Sequence, residues 1–92
     1  MSDAPAASEG PEGDDLRELV AFLARELVED EGAVVVTEEE DERGVLLRLK
    51  VAPDDMGKVS GRGGRTARAI RQVVHAAAVR QGRRAHVEIV DA

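Results

Sequence analysis

The hydrophobic residues first follow a regular spacing after residue 15. Apolar side chains then recur every three or four positions, which places them on one face of an α-helix. They are Leu16, Leu19, Val20, Leu23, Leu27 and Val28. Asp14 or Asp15 stands where the N-cap is expected, and Gly32 ends the pattern. The spacing therefore predicts a helix that packs its apolar face into a core.

Two strands are predicted after this helix. Residues 33–37 form a β-branched run typical of a buried strand, and residues 45–51 alternate as a second strand. One face of the second strand carries Val45, Leu47, Leu49 and Val51, and the other carries Leu46, Arg48 and Lys50. Five consecutive acids at residues 38–42 are expected in the exposed turn of a β-hairpin. An exposed turn does not enclose a metal ion, so we interpret these acids as solubilising rather than metal-binding.

The second half of the chain predicts two helices and a closing strand. A short helix at about residues 55–60 ends at Gly61, and a longer one follows over residues 66–80. In the longer helix, the residues expected to face inward are Ile70, Val73, Val74 and Ala77, and those expected to be more exposed are Arg68, Arg71, Gln72 and His75. Gln81 and Gly82 end this helix, and residues 86–90 alternate as a strand. The predicted order is helix, strand, strand, short helix, glycine loop, helix, strand.

Length and composition narrow the class of protein. Ninety-two residues predict one small domain at residues 15–91, preceded by a disordered acidic tail at residues 1–14. The chain has no cysteine and two histidines, which excludes disulfides and thiolate metal sites and predicts no metal, cofactor or catalytic site. No apolar stretch approaches the roughly 20 residues that span a bilayer, so we expect a cytoplasmic protein without a membrane partner.

Charge is segregated along the chain. The net charge is −6, but residues 1–56 carry −12 and residues 57–92 carry +6. A local basic surface matters more for binding nucleic acid than the overall charge. The single aromatic residue, Phe22, excludes proteins that stack bases on paired sheet aromatics. Any recognition of bases would therefore use aliphatic contacts and hydrogen bonds.

The basic surface is centred on a glycine loop. Gly61 and Gly64 frame a G-x-x-G tetrad, and no acid occurs from Met56 to Val87. The surrounding cations are Lys58, Arg62, Arg65, Arg68 and Arg71. Glycine lets a phosphate backbone come close, and the following helix presents unpaired amides to the same anion. A nucleotide-binding enzyme is disfavoured, because the loop follows a helix and its spacing fits neither the P-loop nor the dinucleotide fingerprint.

This order of elements, with its loop, resembles a KH domain of type II topology. The segment from residue 53 through Gly61-Arg62-Gly63-Gly64 to residue 71 is similar to the small, stand-alone bacterial KH proteins of the KhpA family. The resemblance covers about residues 15–91. It implies an α+β fold with a three-stranded sheet and helices packed on one face. Ser60 departs from the family pattern by standing where an apolar residue is usual, and Ala67 is smaller than the usual aliphatic residue.

The resemblance also implies a set of RNA-binding residues: Lys58, Val59, Ser60, Gly61, Arg62, Gly63, Gly64, Arg65 and Arg68. Gly61 and Gly64 would permit close approach, while Arg62 and the amides of Gly63 and Gly64 would contact phosphate. The other cations would supply the surrounding field. The bases would enter a narrow groove between the flanking helices and a sheet edge. Val59, Ile70 and one face of the second strand would line this groove, or else Val59 and Ile70 would pack in the core. Gly63 makes the loop more flexible than the Lys-Gln often seen in the family.

Two functions are implied. The first is binding of about four nucleotides of single-stranded RNA, as a post-transcriptional regulator or RNA chaperone. The second is that of a protein-interaction subunit, which pairs with a larger multidomain KH protein of the KhpB, Jag or EloR type in the control of cell elongation and division, or with a second copy as a homodimer.

Overall fold

The computed structural model describes residues 15–91, in which three helices and three strands follow one another. They are α1 (Leu16–Leu27), β1 (Val35–Asp41), β2 (Gly44–Val51), α2 (Met56–Ser60), α3 (Arg65–Arg80) and β3 (Ala85–Asp91). Single 3₁₀ turns lie at Glu31–Ala33, Pro53–Asp55 and Arg62–Gly64. The predicted order of elements is confirmed. The acidic tail expected at residues 1–14 lies outside the described residues.

The three strands form one sheet in the order β1-β2-β3. β1 pairs antiparallel with β2, and β2 pairs parallel with β3. A parallel pair needs a crossover connection, which α2, the loop and α3 provide. The alternation predicted for β2 is confirmed, since Val45, Leu47, Leu49 and Val51 are each at most 1% exposed. The helices therefore cover one face of the sheet, and β3 forms one of its two free edges.

Helix α1 ends earlier than its apolar spacing predicts. Asp15 is its N-cap and accepts a hydrogen bond from the Glu18 amide at 3.1 Å. The helix stops at Leu27 because Val28 adopts an extended conformation, although the Val28 side chain still packs in the core. The next two amides, at residues 29 and 30, donate to the Asp55 carboxylate instead of to α1 carbonyls. A residue that lies far along the chain thus accepts hydrogen bonds from the amides that follow the helix.

The prediction for β1 is wrong in extent and in burial. The strand runs over Val35–Asp41, so four of the five consecutive acids lie within it rather than in the turn, and Val35 is 48% exposed. β1 tolerates them because it is an edge strand, where charged side chains also discourage pairing with other chains. Arg83 lies within 3.4 Å of Glu38 and 3.6 Å of Glu40, and its charge offsets the acids on the helix-covered side.

Helix α3 is predicted well except on one side. Ile70, Val74 and Ala77 are buried as expected, together with Ala78. Val73 is 45% exposed, so the prediction that it faces inward is wrong. It lies beside α1, which covers it only in part. The helix ends as predicted at Gln81-Gly82, with the Arg83 amide bonded to the Ala78 carbonyl at 2.8 Å.

Candidate nucleic-acid interface

The glycine loop connects α2 to α3 through three residues with positive φ. Gly61 has φ 72° and ψ 168°, while Gly63 (φ 65°) and Gly64 (φ 78°) are left-handed. The Gly61 amide donates to the Gly57 carbonyl at 2.9 Å, and the Gly64 amide donates to the Gly61 carbonyl at 3.2 Å. A left-handed conformation costs an ordinary L-residue about 1–2 kcal/mol, and Gly63 and Gly64 both adopt it, while Gly61 adopts a conformation essentially restricted to glycine.

The three glycines face different surroundings. A Cβ on Gly61 would collide with the side chain of Thr66 and lie 2.8 Å from its backbone nitrogen. A Cβ on Gly63 or Gly64 would meet no atom within 4 Å. Gly61 is therefore required by the packing of the loop against α3. Gly63 and Gly64 leave an open surface that a phosphate can approach.

This open surface adjoins the start of α3. Gly64 is the N-cap of that 16-residue helix and makes no side-chain cap hydrogen bond. The first amides of a helix have no partner within it, and the helix dipole places partial positive charge there. The Gly64 amide, which was expected to contact phosphate, donates to the Gly61 carbonyl instead, so the N–H groups that can meet an anion here are those of the first turn of α3.

The cationic side chains around the loop differ in their exposure and in whether they form ion pairs. Lys58 is half-exposed, and its Nζ lies 3.6 Å from the Asp55 carboxylate. Arg65 and Arg68 are exposed and form no ion pair within residues 15–91. The side chain of Arg62 lies outside what the structure describes. Arg65 and Arg68 are therefore the described cations of this set that are free to meet a phosphate.

The aliphatic residues expected beside the loop lie in the core. Val59 is completely buried and Ile70 is 4% exposed, and both belong to the hydrophobic cluster beneath the sheet. Ser60 is partly exposed at the end of α2. The buried face of β2 is covered by helices, and its other face lies on the far side of the sheet. Val59 and Ile70 thus support the loop from below, which is the core-packing alternative considered for them.

A cleft lies between α3 and the free edge of β3, whereas the sequence placed the expected groove against the second strand. It has a volume of about 250 Å³ and is lined by Arg71, His75, Ala85, His86 and Val87. The Arg71 Nε donates to the Val87 carbonyl at 3.2 Å, which links the basic side of α3 to the strand edge. The pattern of β3 could not reveal this cleft, because alternation does not say which strand is at an edge.

An apolar groove lies between α1 and α3, close to Thr66. Its volume is about 230 Å³, and it is lined by Leu23, Glu26, Leu27, Thr66, Ala69, Ile70 and Val73. Leu27 is 38% exposed and Val73 is 45% exposed. Two of the four large, exposed apolar side chains among the described residues therefore meet in one groove.

Asp55 is a buried carboxylate just before α2. Its side chain accepts hydrogen bonds from the amides of Asp30 at 3.1 Å and Glu29 at 3.3 Å. The Asp30 hydrogen bond is the main cause that lowers the pKa of Asp55 from its ordinary value; burial opposes it, while the Glu29 amide and Lys58 act with it. The carboxylate is therefore held in its charged form.

The described residues contain no group of acids and histidines able to hold a metal ion. In the same part of the chain, no helix combines the length and the hydrophobicity that crossing a membrane requires.

The mixed sheet, with a G-x-x-G loop between α2 and α3 in the crossover from β2 to β3, defines a KH domain of type II topology.

Comparison with known proteins agrees with this class. Residues 17–89 match the family model described as KhpA/KhpB, KH domain. The chain is 47% identical to the RNA-binding protein KhpA of Clostridium acetobutylicum over 75 residues, which are 82% of this chain and 100% of the relative. It is 46% identical to RNA-binding protein KhpA of Halalkalibacterium halodurans over 76 residues (83% and 100%). For the KhpA of Streptomyces coelicolor the identity is 43% over 76 residues (83% and 92%).

The chain therefore belongs to the KhpA/KhpB family of KH domains. This family is not enzymatic, which confirms the expectation that the chain is not an enzyme.

Proposed function

We propose that this chain is a single-stranded RNA-binding module whose loop at residues 61–64 holds the sugar-phosphate backbone of about four nucleotides. One observation carries the proposal: the open surface over Gly63 and Gly64 lies at the start of α3 and beside the unpaired Arg65 and Arg68. The name RNA-binding protein, which the KhpA relatives carry, supports the same ligand. In this proposal, Lys58, Ser60, Gly61 and Arg62 complete the interface and Val59 supports it from the core.

The test is to replace Arg62 and Gly63 together with aspartate. Position 63 has open space, and aspartate tolerates the left-handed region better than most residues, so the circular dichroism spectrum should stay native. Two negative charges at the phosphate site should abolish binding of a labelled single-stranded RNA. Persistence of wild-type binding would refute the loop as the site.

The chain offers a matched control for this variant. Arg17→Asp with Gly82→Asp makes the same two replacements, and Gly82 also has positive φ (70°) with open space around it. Arg17 is exposed in the first turn of α1, where an acid is favourable. This control should bind RNA as the wild type does.

In the cell, a grip on the backbone gives little discrimination between sequences. The chain has one aromatic residue, Phe22, so strong stacking on bases is not available. Such binding fits a cytoplasmic protein that acts on many transcripts, as a post-transcriptional regulator or RNA chaperone.

The apolar groove between α1 and α3 favours a second, compatible function, pairing with another KH domain. The occupant that we propose is the same groove of a second copy, because a two-fold dimer would place Leu27 and Val73 of each copy against those of the other. Pairing would also join two weak RNA sites. A larger KH protein of the KhpB, Jag or EloR type, acting in cell elongation and division, is the other outcome to be tested.

Sedimentation of the purified chain tests this second function. Val73→Glu should convert a dimer into a monomer. Val79→Glu, on the same helix but at a position 57% exposed, should leave the dimer intact. A wild-type chain that is monomeric alone but binds the larger KH protein through Val73 would favour the mixed pair, and a monomer with no such partner would remove the proposal.

A further inference from the structure

Asp55 connects two segments that are distant in sequence. The residue is 3% exposed and is the one buried polar or charged residue among the described residues. Its carboxylate accepts from amides 25 and 26 residues earlier in the chain, directly after α1. It stands at the start of α2, which leads into the glycine loop.

Helix α2 depends on such an anchor. It has five residues, of which Val59 alone is fully buried, and a helix this short is not stable by itself. The hydrogen bonds of Asp55 fix the start of α2, and the buried side chain of Val59 packs its middle into the core. The close contact between Gly61 and Thr66 fixes its end. The conformation that the loop presents to a phosphate is set by these three attachments.

The same carboxylate satisfies the end of α1. Because Val28 leaves the helix, the amides of Glu29 and Asp30 point away from α1 and need another acceptor. The buried group is the Asp55 carboxylate, and a buried carboxylate without hydrogen-bond partners is costly, so Asp55 and these part-buried amides constrain each other. The position of α2 is thereby tied to the position where α1 ends.

We propose that Asp55 is a positioning residue for RNA binding: it makes no contact with RNA but holds α2 and the loop in the conformation that accepts the backbone. This inference rests on the proposed function of the loop. The causes that lower the pKa of Asp55 agree with a carboxylate that stays charged in this role.

A simple electrostatic account predicts the opposite effect. Asp55 is a negative charge near the loop, and it holds Lys58 at 3.6 Å. On that account, Asp55→Asn would remove a charge that repels RNA and would release Lys58, so affinity would rise. On the positioning account, affinity falls, by about tenfold if the binding-competent fraction of the loop drops to about a tenth.

The experiment compares Asp55→Asn with the wild type in binding a short, labelled single-stranded RNA of mixed sequence. Both are measured at a temperature where circular dichroism shows them folded. The affinity of the variant should fall about tenfold, while the slope of log K against log salt stays the same, because the competent loop contacts the same phosphates. Unchanged or higher affinity would overturn the proposal.

Val20→Ala controls for general loss of stability. Val20 is completely buried in α1, and it takes no part in the hydrogen bonds of Asp55, which come from the amides of Glu29 and Asp30. This variant should be destabilised and still bind RNA with wild-type affinity when folded. An equal loss of affinity in Val20→Ala would mean that loosening of the core, and not Asp55, explains the effect.

A measurement on the wild type covers the case in which Asp55→Asn does not fold. Coupling between sites is reciprocal, so RNA bound at the loop should slow hydrogen exchange of the Glu29 and Asp30 amides. No change in their exchange at saturating RNA would contradict the proposal. The variant in which both Arg62 and Gly63 are replaced with aspartate tests the proposed function itself, which fails if that variant still binds RNA. If that variant does not bind RNA but Asp55→Asn binds with wild-type affinity, only the positioning role is removed.

Discussion

Thr66 lies so close to Gly61 that no side chain fits at position 61. Gly61 also has φ 72° and ψ 168°, a region of backbone conformation that is essentially restricted to glycine. The packing of α3 against the loop and the backbone conformation of the loop therefore both require glycine at position 61.

Replacing Gly61 with alanine should therefore be far more harmful than replacing Gly63. We expect Gly61→Ala to lower the free energy of unfolding by about 3 kcal/mol, since strain and overpacking add. Gly63→Ala should cost about 1 kcal/mol, because only the left-handed conformation is penalised. Urea denaturation measures both. Equal costs would show that the contact of Gly61 with Thr66 does not govern the loop.

Gly63→Asn should strengthen RNA binding. Asparagine tolerates the left-handed conformation that Gly63 adopts, and it restricts the free chain more than glycine does. A gain of about 0.4–1 kcal/mol, or about two- to fivefold in affinity, is expected from the smaller entropy loss. Titration of labelled RNA measures it. Gly82→Asn, also at positive φ in open space, is the control and should leave affinity unchanged.

Single cations should contribute unequally to the salt dependence of RNA binding. If about three phosphates are neutralised, the slope of log K against log salt is near −2, at about −0.7 for each phosphate. Arg65→Ala and Arg68→Ala should each reduce the slope by about 0.7, whereas Arg80→Ala, at the far end of α3, should not change it. Lys58→Ala should have a smaller effect, because Lys58 already pairs with Asp55.

The slopes are read from fluorescence anisotropy titrations at several salt concentrations. Identical slopes for Arg65→Ala and Arg80→Ala would mean that the RNA backbone does not follow the start of α3.

Acid should destabilise the fold through Asp55. The pKa of Asp55 is lower in the folded chain, so its contribution is complete above the ordinary Asp pKa of about 3.9 and is lost as the pH falls through the lower, folded value. The thermal midpoint of the wild type should drop as the pH falls below about 4, and Asp55→Asn should show a smaller drop. Parallel curves for the two proteins would show that other carboxylates cause the acid sensitivity.

The sequence predicted correctly those elements that are determined by residues close to one another in the chain. The alternation of β2 and the apolar spacing of α3 come from residues that are neighbours in the chain, and the G-x-x-G tetrad together with the order of elements indicated the KH family.

Where the predictions failed, a distant residue decides the structure. Asp55 accepts from the Asp30 amide, which follows the end of α1, and Arg83 lies beside Glu38 and Glu40, which belong to β1 and not to the turn. The exposure of Val73 depends on how α1 lies beside α3, which spacing along one helix cannot reveal.

The most direct test of the central proposal is to map RNA binding on the backbone amides by NMR. Single-stranded RNA is added to the labelled wild-type chain, and the chemical-shift change of each amide is followed. The largest changes should fall at residues 61–68, at the loop and the first turn of α3, with smaller ones at Glu29 and Asp30. Changes confined to β1 and the exposed face of β2, or none at all, would contradict the proposal that this loop binds RNA.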